Sequence, residues 1–535
     1  MSRYMRKKWL PGALSLALGV GLAGCGGSGH NGQASTPTAP QVPALKVVST
    51  MPANGATDVL NTAEVSATFD QSIDTATLKN ANFNVNCPAD AEPFGSVVYD
   101  DATRKATFVR ITESPTNLPQ SEVAEPMQAD VTCTATITTG IKGAGGAALA
   151  TDFVWTFSTV ADTAFLDEGK RIFRFDTFGD ETTWTDTLQM NEVIQTAVDP
   201  ATALAVGLKV DAEALPQAVV DGIIDKSISL TDPQTTLALI SLDAVVGIKG
   251  TVATAADGKM TLTRVGITCA LCHSTVDNSF DHGIGKRLDG WPNRDLDPGF
   301  IISLSPALTV EQRAVYKSWG PGFYDPRFNI DGLNGPQVIT PAYGLQNIHK
   351  IIATGDGDDL AYWNRYVGVT QMGGHGNFTD ARVGTGIDIT NGTDDLITAK
   401  LPALQAYQLS IAAPPAPAGS FDTAAATRGK ALFEGKAGCS TCHSGPEFTD
   451  ANERLHSPDE VASEPEATGV PSYASRTATR MYRTAPLKGA WQHPPYFHNG
   501  SADTLVDVVN KYNAKQSLGL TGAEVDDVAQ YVKSL

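Results

Sequence analysis

The sequence predicts a multidomain protein in which an N-terminal all-β sandwich is followed by two mainly α-helical domains. Apolar and polar residues alternate through much of 45–160, which is the period of half-buried strands. Helical patterns begin near residue 161, and a Pro- and Ala-rich stretch at 412–420 divides the helical part in two. A chain of 535 residues is long enough for about three domains.

The composition is that of a globular, acidic protein. Apolar residues make up 42% and charged residues 18%, which argues against a disordered chain. The formal net charge of −19 argues against nucleic-acid binding, because that function needs a basic surface. An acidic surface favours solubility, or association with a basic protein partner.

The first 24 residues have the pattern of a signal peptide. A positively charged start precedes Leu10–Leu22, an apolar run too short to span a bilayer. Leu22–Cys25 reads Leu-Ala-Gly-Cys and resembles the bacterial lipobox, whose cysteine is lipidated. Since Gly26 rather than Asp follows, we expect an exported lipoprotein anchored through Cys25 to the outer membrane, on its periplasmic or cell-surface face. The alternative is an ordinary secretory signal with an incidental cysteine, and in either case the Gly- and Ser-rich residues 25–44 predict a flexible tether.

Four period-two segments predict the sandwich over residues 45–160. Each places apolar side chains on one face, and turn residues separate one from the next. These segments are Val65–Phe69, Phe83–Cys87, Val131–Ile137 and Phe153–Phe157. Cys87 and Cys133 both have the apolar parity of their strands, so in an oxidising compartment they predict a buried disulfide across the core. Two separate buried thiols are the alternative.

The two ends of this segment resemble the bacterial Ig-like domain of surface proteins. The opening run Met51–Ala56 reads Met-Pro-Ala-Asn-Gly-Ala, and the closing run Trp155–Thr159 reads Trp-Thr-Phe-Ser-Thr. The resemblance implies a spacer or adhesion module rather than a catalytic domain.

Two Cys-x-x-Cys-His strings carry the chemistry that the sequence predicts. In such a string two thiols add to the two vinyl groups of one haem, and the adjacent His becomes the proximal ligand of the iron. The strings consist of Cys269, Cys272 and His273, then Cys439, Cys442 and His443. With Cys25 and the pair Cys87–Cys133 they account for all seven cysteines. We therefore predict two covalently bound haem c groups, one in a first cytochrome c domain with insertions at 161–411 and one in a second at 421–535.

Zinc binding and thiol redox chemistry are the alternatives for these strings. Zinc would need four ligands at matching spacing, whereas the two cysteine pairs lie far apart in the sequence. A thioredoxin-like pair would need a βαβ context, which the sequence does not predict.

The C-terminal part resembles the di-haem cytochrome c peroxidase and MauG superfamily. The resemblance is specific over 420–535 and weaker over 260–420, and Asp167–Phe173 resembles the first helix of a cytochrome domain. It rests on Arg428–Phe433, Ser444–Asp450, Tyr482–Gly489, Pro495–Ser501, Thr504–Leu505 and a final helix with a capping box at Thr521 and Glu524. The resemblance implies that the first haem binds the oxidant and that the second relays electrons to it. It also implies a possible Ca²⁺ ion between the haem domains, with backbone near Thr484 as a contributor.

The distal ligand of the second haem is predicted from this resemblance. In the superfamily it follows a Thr-Leu pair and is Met in peroxidases but Tyr in MauG-type proteins, and here the position is Tyr512. A tyrosinate ligand would stabilise ferric iron, whereas Met raises the potential. His498 is the next candidate, and His493 and Met481 are further rivals.

The first haem has several candidate partners. His282, His349, Met372 and His375 lie between the two strings, and the glycines around His375 would let that ligand move in and out. The superfamily also uses a Trp between the haems for electron transfer. The candidates for that role are Trp291, which is the first choice, Trp319 and Trp363.

The function implied by the resemblance is a di-haem oxidoreductase of the peroxidase type. Hydrogen peroxide or O₂ would react at the first haem, and a small cytochrome c or a cupredoxin would donate electrons. A distal acid or base is needed for peroxide cleavage, and the sequence does not identify it. The alternatives are a non-catalytic electron-transfer cytochrome and a di-haem oxygenase, because Lys317–Gly322 faintly resembles bacterial rubber oxygenase.

Overall fold

The computed structural model describes residues 43–88, 95–110, 126–357, 359–383, 386–464 and 472–535. The predicted signal peptide, the predicted lipidation site Cys25 and most of the predicted tether lie outside the described residues. Residues Ala44–Leu535 cluster as one compact unit. Within the described ranges, no helix has both the length and the apolar character needed to cross a bilayer.

The N-terminal part is an all-β sandwich. Its strands are β1 (Val47–Met51), β2 (Ala56–Leu60), β3 (Val65–Phe69), β4 (Phe83–Asn86), β5 (Gly95–Asp100), β6 (Lys105–Arg110), β7 (Thr132–Ile137) and β8 (Phe153–Val160). One sheet has the order β1-β3-β6-β5 and the other the order β2-β8-β7-β4. All ladders are antiparallel except the one between β2 and β8. The predicted alternation therefore buries one face of each sheet in a shared core.

The core of the sandwich is aromatic and contains a disulfide. Trp155 is 1% exposed, and its ring lies 6.0 Å from that of Phe83 and 5.8 Å from that of Phe153 between centroids. Cys87 and Cys133 are buried and joined by a disulfide. Because β4 and β7 are neighbours in one sheet, the bridge ties adjacent strands rather than crossing from sheet to sheet.

The middle part of the chain combines short helices with two-stranded ladders. Its helices are α1 (Thr163–Phe175), α2 (Met190–Ala197), α3 (Pro200–Ala205), α4 (Gln217–Ile224), α5 (Pro233–Ser241), α6 (Ala270–His273), α7 (Pro298–Ser303), α8 (Val310–Lys317), α9 (Phe328–Asp331), α10 (Leu360–Val367) and α11 (Leu401–Ser410). Its strands are β9 (Val210–Asp211), β10 (Ile248–Thr254), β11 (Met260–Ile267), β12 (Ser274–Val276), β13 (Ile284–Gly285), β14 (Arg287–Asp289), β15 (Phe323–Tyr324), β16 (Gln337–Val338), β17 (Gly376–Asp380) and β18 (Ile387–Asn391). The β10–β11 hairpin leads directly into the first Cys-x-x-Cys-His string.

The C-terminal part is a small helical unit. It consists of α12 (Thr423–Glu434), α13 (Leu505–Gln516) and α14 (Gly522–Ser534), with turns and loops between α12 and α13. The predicted capping box is present, since Thr521 accepts from the amide of Glu524 and Glu524 accepts from the amide of Thr521. The buried stripe of α14, which includes Val525, Val528 and Val532, packs on Phe433 of α12.

A glycine allows close helix crossing in each half of the helical part. A Cβ atom on Gly169 of α1 would lie 2.0 Å from the carbonyl oxygen of Ala403 in α11. A Cβ atom on Gly429 of α12 would lie 1.9 Å from the carbonyl oxygen of Asp527 in α14. Backbone oxygens cannot move aside as a flexible side chain can, so both crossings require glycine.

Replacing Gly429 tests the second crossing. Gly429→Ala forces α12 away from α14, and we expect it to lower the free energy of unfolding by about 1–3 kcal/mol. Gly522→Ala is the matched control, because a Cβ atom there meets nothing within 4 Å. Denaturant unfolding of the two variants measures the difference, and equal stabilities would contradict the close crossing.

Candidate cofactor sites

Each Cys-x-x-Cys-His string lies on the wall of a cavity. The first cavity has a volume of about 340 Å³ and is lined by Cys269, Cys272 and His273, which α6 carries. The second cavity has a volume of about 490 Å³ and is lined by Cys439, Cys442 and His443, which follow α12 in a tight turn. Cavities of roughly 300–1,000 Å³ are typical of small-molecule and cofactor sites.

The imidazole of each string is oriented by a backbone carbonyl. Nδ1 of His273 lies 3.0 Å from the carbonyl oxygen of Thr340, and Nδ1 of His443 lies 3.0 Å from that of Phe448. A carbonyl only accepts, so Nδ1 carries the proton and Nε2 keeps its lone pair. Burial lowers the pKa of both imidazoles below the usual range. Each string therefore offers one neutral, oriented nitrogen donor for a metal.

The four thiols are free of disulfides. Three of them have the properties of attachment points rather than of reactive thiolates, and the fourth, Cys442, accepts a hydrogen bond from Nη2 of Arg454 at 3.3 Å. Burial raises the pKa of Cys269 and Cys272 to about 12 and that of Cys439 to about 11. Redox-active Cys-x-x-Cys pairs instead have lowered thiol pKa values, so this environment does not fit the thioredoxin-like alternative.

Zinc also fits the donor set poorly. Across the described parts of the chain, the potential metal cluster found is one of three residues, Cys442, Asp450 and His456, and it does not include Cys439. A structural zinc site needs four ligands. Two thiols and one oriented imidazole beside a cofactor-sized cavity match covalent haem c instead.

Two arginines on the second cavity lack counter-charges. Arg294 donates to the carbonyl oxygen of His493, yet its Nε and Nη1 are buried without a hydrogen-bond partner. Arg483 donates to the carbonyl oxygen of Lys350, and its Nε is likewise unpartnered. Burial lowers the pKa of each guanidinium to about 10. Buried cations are costly unless an anion pairs with them, and the carboxylates of a porphyrin would supply such anions.

The second cavity gathers three of the four distal ligands proposed for it. Tyr512, His498 and His493 line the cavity, whereas Met481 does not. Burial raises the pKa of Tyr512 to about 12 and lowers that of His493 to about 4. Both are therefore neutral at pH 7, and a tyrosinate ligand would have to release its proton on binding a metal.

The first cavity gathers one of its four proposed ligands. Met372 is 3% exposed and lines the cavity. His282, His349 and His375 are not among the lining residues. His375 instead lies 2.9 Å from Asp394 and 3.4 Å from the hydroxyl of Thr182. Its ring thus joins the loop of Asp394 to the helical turn that begins at Thr182, and it does not line the cavity.

The polar groups of the first cavity are mostly neutral. Tyr324 donates to Oε1 of Gln371 at 2.7 Å, and Asn364 donates to Gln408 at 2.7 Å. Arg327 also lines the cavity and is paired with Asp356. Among the described lining residues there is no Asp or Glu, and His273 is the only His. This absence of carboxylates could not be read from the sequence, in which acidic residues are plentiful.

The two cavities share a wall. Both are lined by Val338, Thr340, Pro341, Leu345 and Ala353. Thr340, whose carbonyl orients His273, is therefore exposed to both cavities. The sequence analysis did not predict that this segment lies between the two cavities, because nothing in its composition indicates such a position.

The three candidate tryptophans lie in different places. Trp363 lines the first cavity, and its Nε1 is buried without a partner. Trp291 packs edge-on against Trp491 at 5.7 Å between centroids, and Trp319 packs within a cluster that includes Tyr324. Neither of these two lines a cavity. No arrangement here singles out one tryptophan as a bridge.

The backbone near Thr484, which the resemblance suggested as a contributor to a calcium site, forms a hydrogen bond within the protein. The carbonyl oxygen of Thr484 accepts a hydrogen bond from the hydroxyl of Thr449 at 2.6 Å. Calcium binding stays a prediction from the resemblance.

Comparison with known families supports both halves of the sequence analysis. Residues 41–159 match the model of the bacterial Ig-like domain, and residues 481–517 match the model described as RoxA-like, cytochrome c-like. The second match contains Arg483, His493, His498 and Tyr512, which line the second cavity. The predicted Ig-like domain is confirmed, and the protein contains a cytochrome c-like segment.

Curated relatives include two cytochrome-c peroxidases and a MauG protein. The chain is 35% identical over 120 residues to cytochrome-c peroxidase IdrP2 of Pseudomonas sp. (strain SCT), covering 17% of this chain and 32% of the relative. It is 32% identical over 152 residues to cytochrome-c peroxidase IdrP1 of Denitromonas iodatirespirans, covering 21% of this chain and 40% of the relative. It is 38% identical over 88 residues to the methylamine utilization protein MauG of Methylorubrum extorquens, covering 16% of this chain and 24% of the relative. The predicted resemblance to this superfamily is confirmed, and the chain spans well under half the length of each relative.

Solved structures give only distant likenesses. Hydrazine synthase of Kuenenia stuttgartiensis matches with a TM-score of 0.28 at 19% identity over 41% of this chain and 78% of that chain. A MauG-like protein associated with microbial copper homeostasis matches with a TM-score of 0.20 at 21% identity over 26% of this chain and 56% of that chain.

The two buried arginines without counter-charges predict that replacing one of them changes the free energy of unfolding more when haem is bound. Arg483→Met removes a buried cation, so it should reduce the extra stability that haem confers by about 1.5–3 kcal/mol, the contribution of a hydrogen bond to a charged group. Arg480→Met, three residues away on an exposed arginine, is the matched control. Denaturant unfolding of haem-free and haem-loaded forms gives the difference, and equal losses in both variants would contradict an anionic partner.

Proposed function

We propose that the protein is a di-haem c-type cytochrome oxidoreductase with peroxidase-like activity. One haem c would be held in a first cytochrome c domain, 161–411, and one in a second, 421–535. The observation that carries this proposal is the pair of adjoining cavities, each presenting two thiols free of disulfides and one carbonyl-oriented imidazole. The cytochrome-c peroxidase and MauG relatives support the same reading.

The chain would hold each haem through its string. Cys269 and Cys272 would form the thioethers at the first site, with Nε2 of His273 as iron ligand. Cys439 and Cys442 would do the same at the second site, with His443 as ligand. When bound, the haem iron supplies reversible one-electron chemistry, and the adjoining cavities would place the two groups close enough for electrons to pass between them.

The second site would carry the electron-relay role. Tyr512 is our proposed distal ligand there, with His498 the rival on the same wall. Arg294 and Arg483 would pair with the haem carboxylates, which also explains why two unpaired cations are buried at this cavity and not at a solvent surface.

The first site would receive the oxidant. Met372 and the Tyr324–Gln371 pair line that cavity, so the chain offers a thioether and a neutral phenol rather than a carboxylic acid to a bound peroxide. A positioned acid–base group typically contributes ~10²–10⁴-fold to such a reaction. We therefore expect peroxide turnover to be slow unless Tyr324 supplies the proton.

A second candidate function is an oxygenase acting on an apolar substrate, as in the resemblance to rubber oxygenase. The observation in its favour is the group of apolar residues that line this wall of the first cavity, Trp184, Met190, Ile194, Ile301, Ile302 and Leu304. Leu304 is 36% exposed, so this wall reaches the protein surface. An electron carrier without catalysis remains the third possibility and would leave both irons six-coordinate.

Partners and location follow from charge and compartment. A net charge of −19 would favour a donor with a basic face, such as a small cytochrome c or a cupredoxin, and salt should weaken that association. Haem c attachment and the Cys87–Cys133 disulfide both suit an exported protein. Lipid anchoring to the outer membrane through Cys25 is part of the proposal, and palmitate labelling of the wild type against Cys25→Ala tests it.

The decisive assay compares two oxidants on the matured protein. Peroxide-dependent oxidation of reduced cytochrome c is expected, and it should vanish in the Cys269→Ala/Cys272→Ala double variant, which lacks the first attachment site. Oxygen uptake with polyisoprene, without peroxide activity, would instead support the oxygenase. Absence of both activities with two fully low-spin haems would contradict either enzyme.

Replacing Tyr512 tests the second site directly. Tyr512→Phe removes the only phenol that we assign to the metal, so the ferric absorption and electron paramagnetic resonance spectra should change. Tyr496→Phe is the matched control, since Tyr496 lines the same cavity but donates to the carbonyl oxygen of Ala490. A spectrum that is unchanged in Tyr512→Phe and altered in His498→Ala would transfer the role to His498.

A further inference from the structure

An aromatic stack connects the walls of the two cavities. Tyr473 lines the first cavity, and its ring lies 5.9 Å from that of His498 between centroids. His498 lines the second cavity and is stacked on Tyr482 at 4.9 Å with an interplanar angle of 26°. Tyr482 also lines the second cavity. Three neighbouring rings thus link one cavity to the other, and no tryptophan takes part.

The phenol of Tyr482 is hydrogen-bonded to a carboxyl group, that of Glu464, which can accept its proton. Tyr482 is 2% exposed and donates a short hydrogen bond to Oε1 of Glu464, which is 7% exposed. Ser472 donates to the same oxygen at 2.8 Å. Ser472 Oγ also lies 2.9 Å from the phenolic oxygen. The phenol of Tyr482 therefore has a hydrogen-bonded carboxyl oxygen to which its proton can pass. The amide of Ala474 donates to the phenolic oxygen at 3.2 Å and fixes its position.

Tyr473, at the other end of the stack, lies beside two ion pairs. The guanidinium carbons of Arg327 and Arg476 lie 5.6 and 5.1 Å from its ring centroid. Arg327 is paired with Asp356, and Arg476 is paired with Asp325 and Asp331, so carboxylates offset the charge of both guanidiniums. The choice of Tyr482 between the two tyrosines therefore rests on its hydrogen bond to Glu464.

We propose that Tyr482 is a redox-active tyrosine that supplies one electron to the oxidised haem sites while its phenolic proton passes to Oε1 of Glu464. The O–H bond of Tyr482 breaks, an O–H bond forms on Glu464, and a neutral tyrosyl radical remains. The oxidant is hydrogen peroxide acting at the haems, so the inference rests on the proposed function. An electron from the external donor, with return of the proton, restores both side chains.

This step would give the protein a way to hold an oxidising equivalent on its own chain. A neutral radical needs no counter-ion in the protein interior, whereas a protonated radical cation would be costly there. Because Tyr482 stacks on His498 at the wall of the second cavity, the radical would form on the electron-entry side, away from the oxidant at the first cavity.

The test is electron paramagnetic resonance of the matured protein, freeze-quenched after hydrogen peroxide and, separately, after a photogenerated ruthenium(III) polypyridyl oxidant. A tyrosyl signal is expected in the wild type, narrowed by ring-deuterated tyrosine. It should be lost in Tyr482→Phe and diminished in Glu464→Gln, which keeps an acceptor oxygen but is a far weaker base. It should persist in Tyr473→Phe, the matched control. Haem content and circular dichroism check that each variant is folded.

The outcomes separate the inference from the proposed function. If peroxide is not consumed but ruthenium(III) still gives the Tyr482 signal, the peroxidase proposal falls and the redox role of Tyr482 stands. If peroxide is consumed and neither oxidant yields a tyrosyl signal, the inference is overturned and the peroxidase proposal is unaffected. A signal that survives in Tyr482→Phe or disappears only in Tyr473→Phe also overturns it.

Discussion

Both candidate haem sites depend on one repeated interaction, a hydrogen bond from a histidine ring to a backbone carbonyl. Thr340 and Phe448 each accept from Nδ1 of the histidine that ends a Cys-x-x-Cys-His string. This bond fixes the tautomer with the proton on Nδ1 and leaves the lone pair of Nε2 available to a metal. Without this hydrogen bond, the ring of a buried neutral histidine could rotate or change tautomer. Its nitrogen donor would then have no fixed position relative to the two thiols of the same string.

Both halves of the helical part use a glycine to bring two helices into close contact. In each half a glycine sits where the first helix crosses the last, Gly169 against Ala403 and Gly429 against Asp527. Val338, Thr340, Pro341 and Leu345 line both cavities, so the two cavities share a wall.

Local patterns in the sequence predicted individual elements, but the sequence did not predict which distant residues meet in the folded protein. The parity of Cys87 and Cys133 predicted burial, and the Thr521 capping box predicted the start of α14, because both depend on near neighbours. The first cavity, by contrast, combines Trp184 with Tyr473, nearly 290 positions apart, and no local signal marks such residues as neighbours. For the same reason the glycine-rich surroundings of His375 suggested a mobile ligand, whereas its ring is bound to Asp394 outside the cavity.

The central claim is that both strings carry covalent haem, and intact mass spectrometry tests it most directly. The protein, matured in a host that attaches haem c, should show a mass two haem increments above the polypeptide. Tryptic peptides that contain Cys269–His273 and Cys439–His443 should each carry one increment. An unmodified polypeptide mass, or haem at one string alone, would contradict the account.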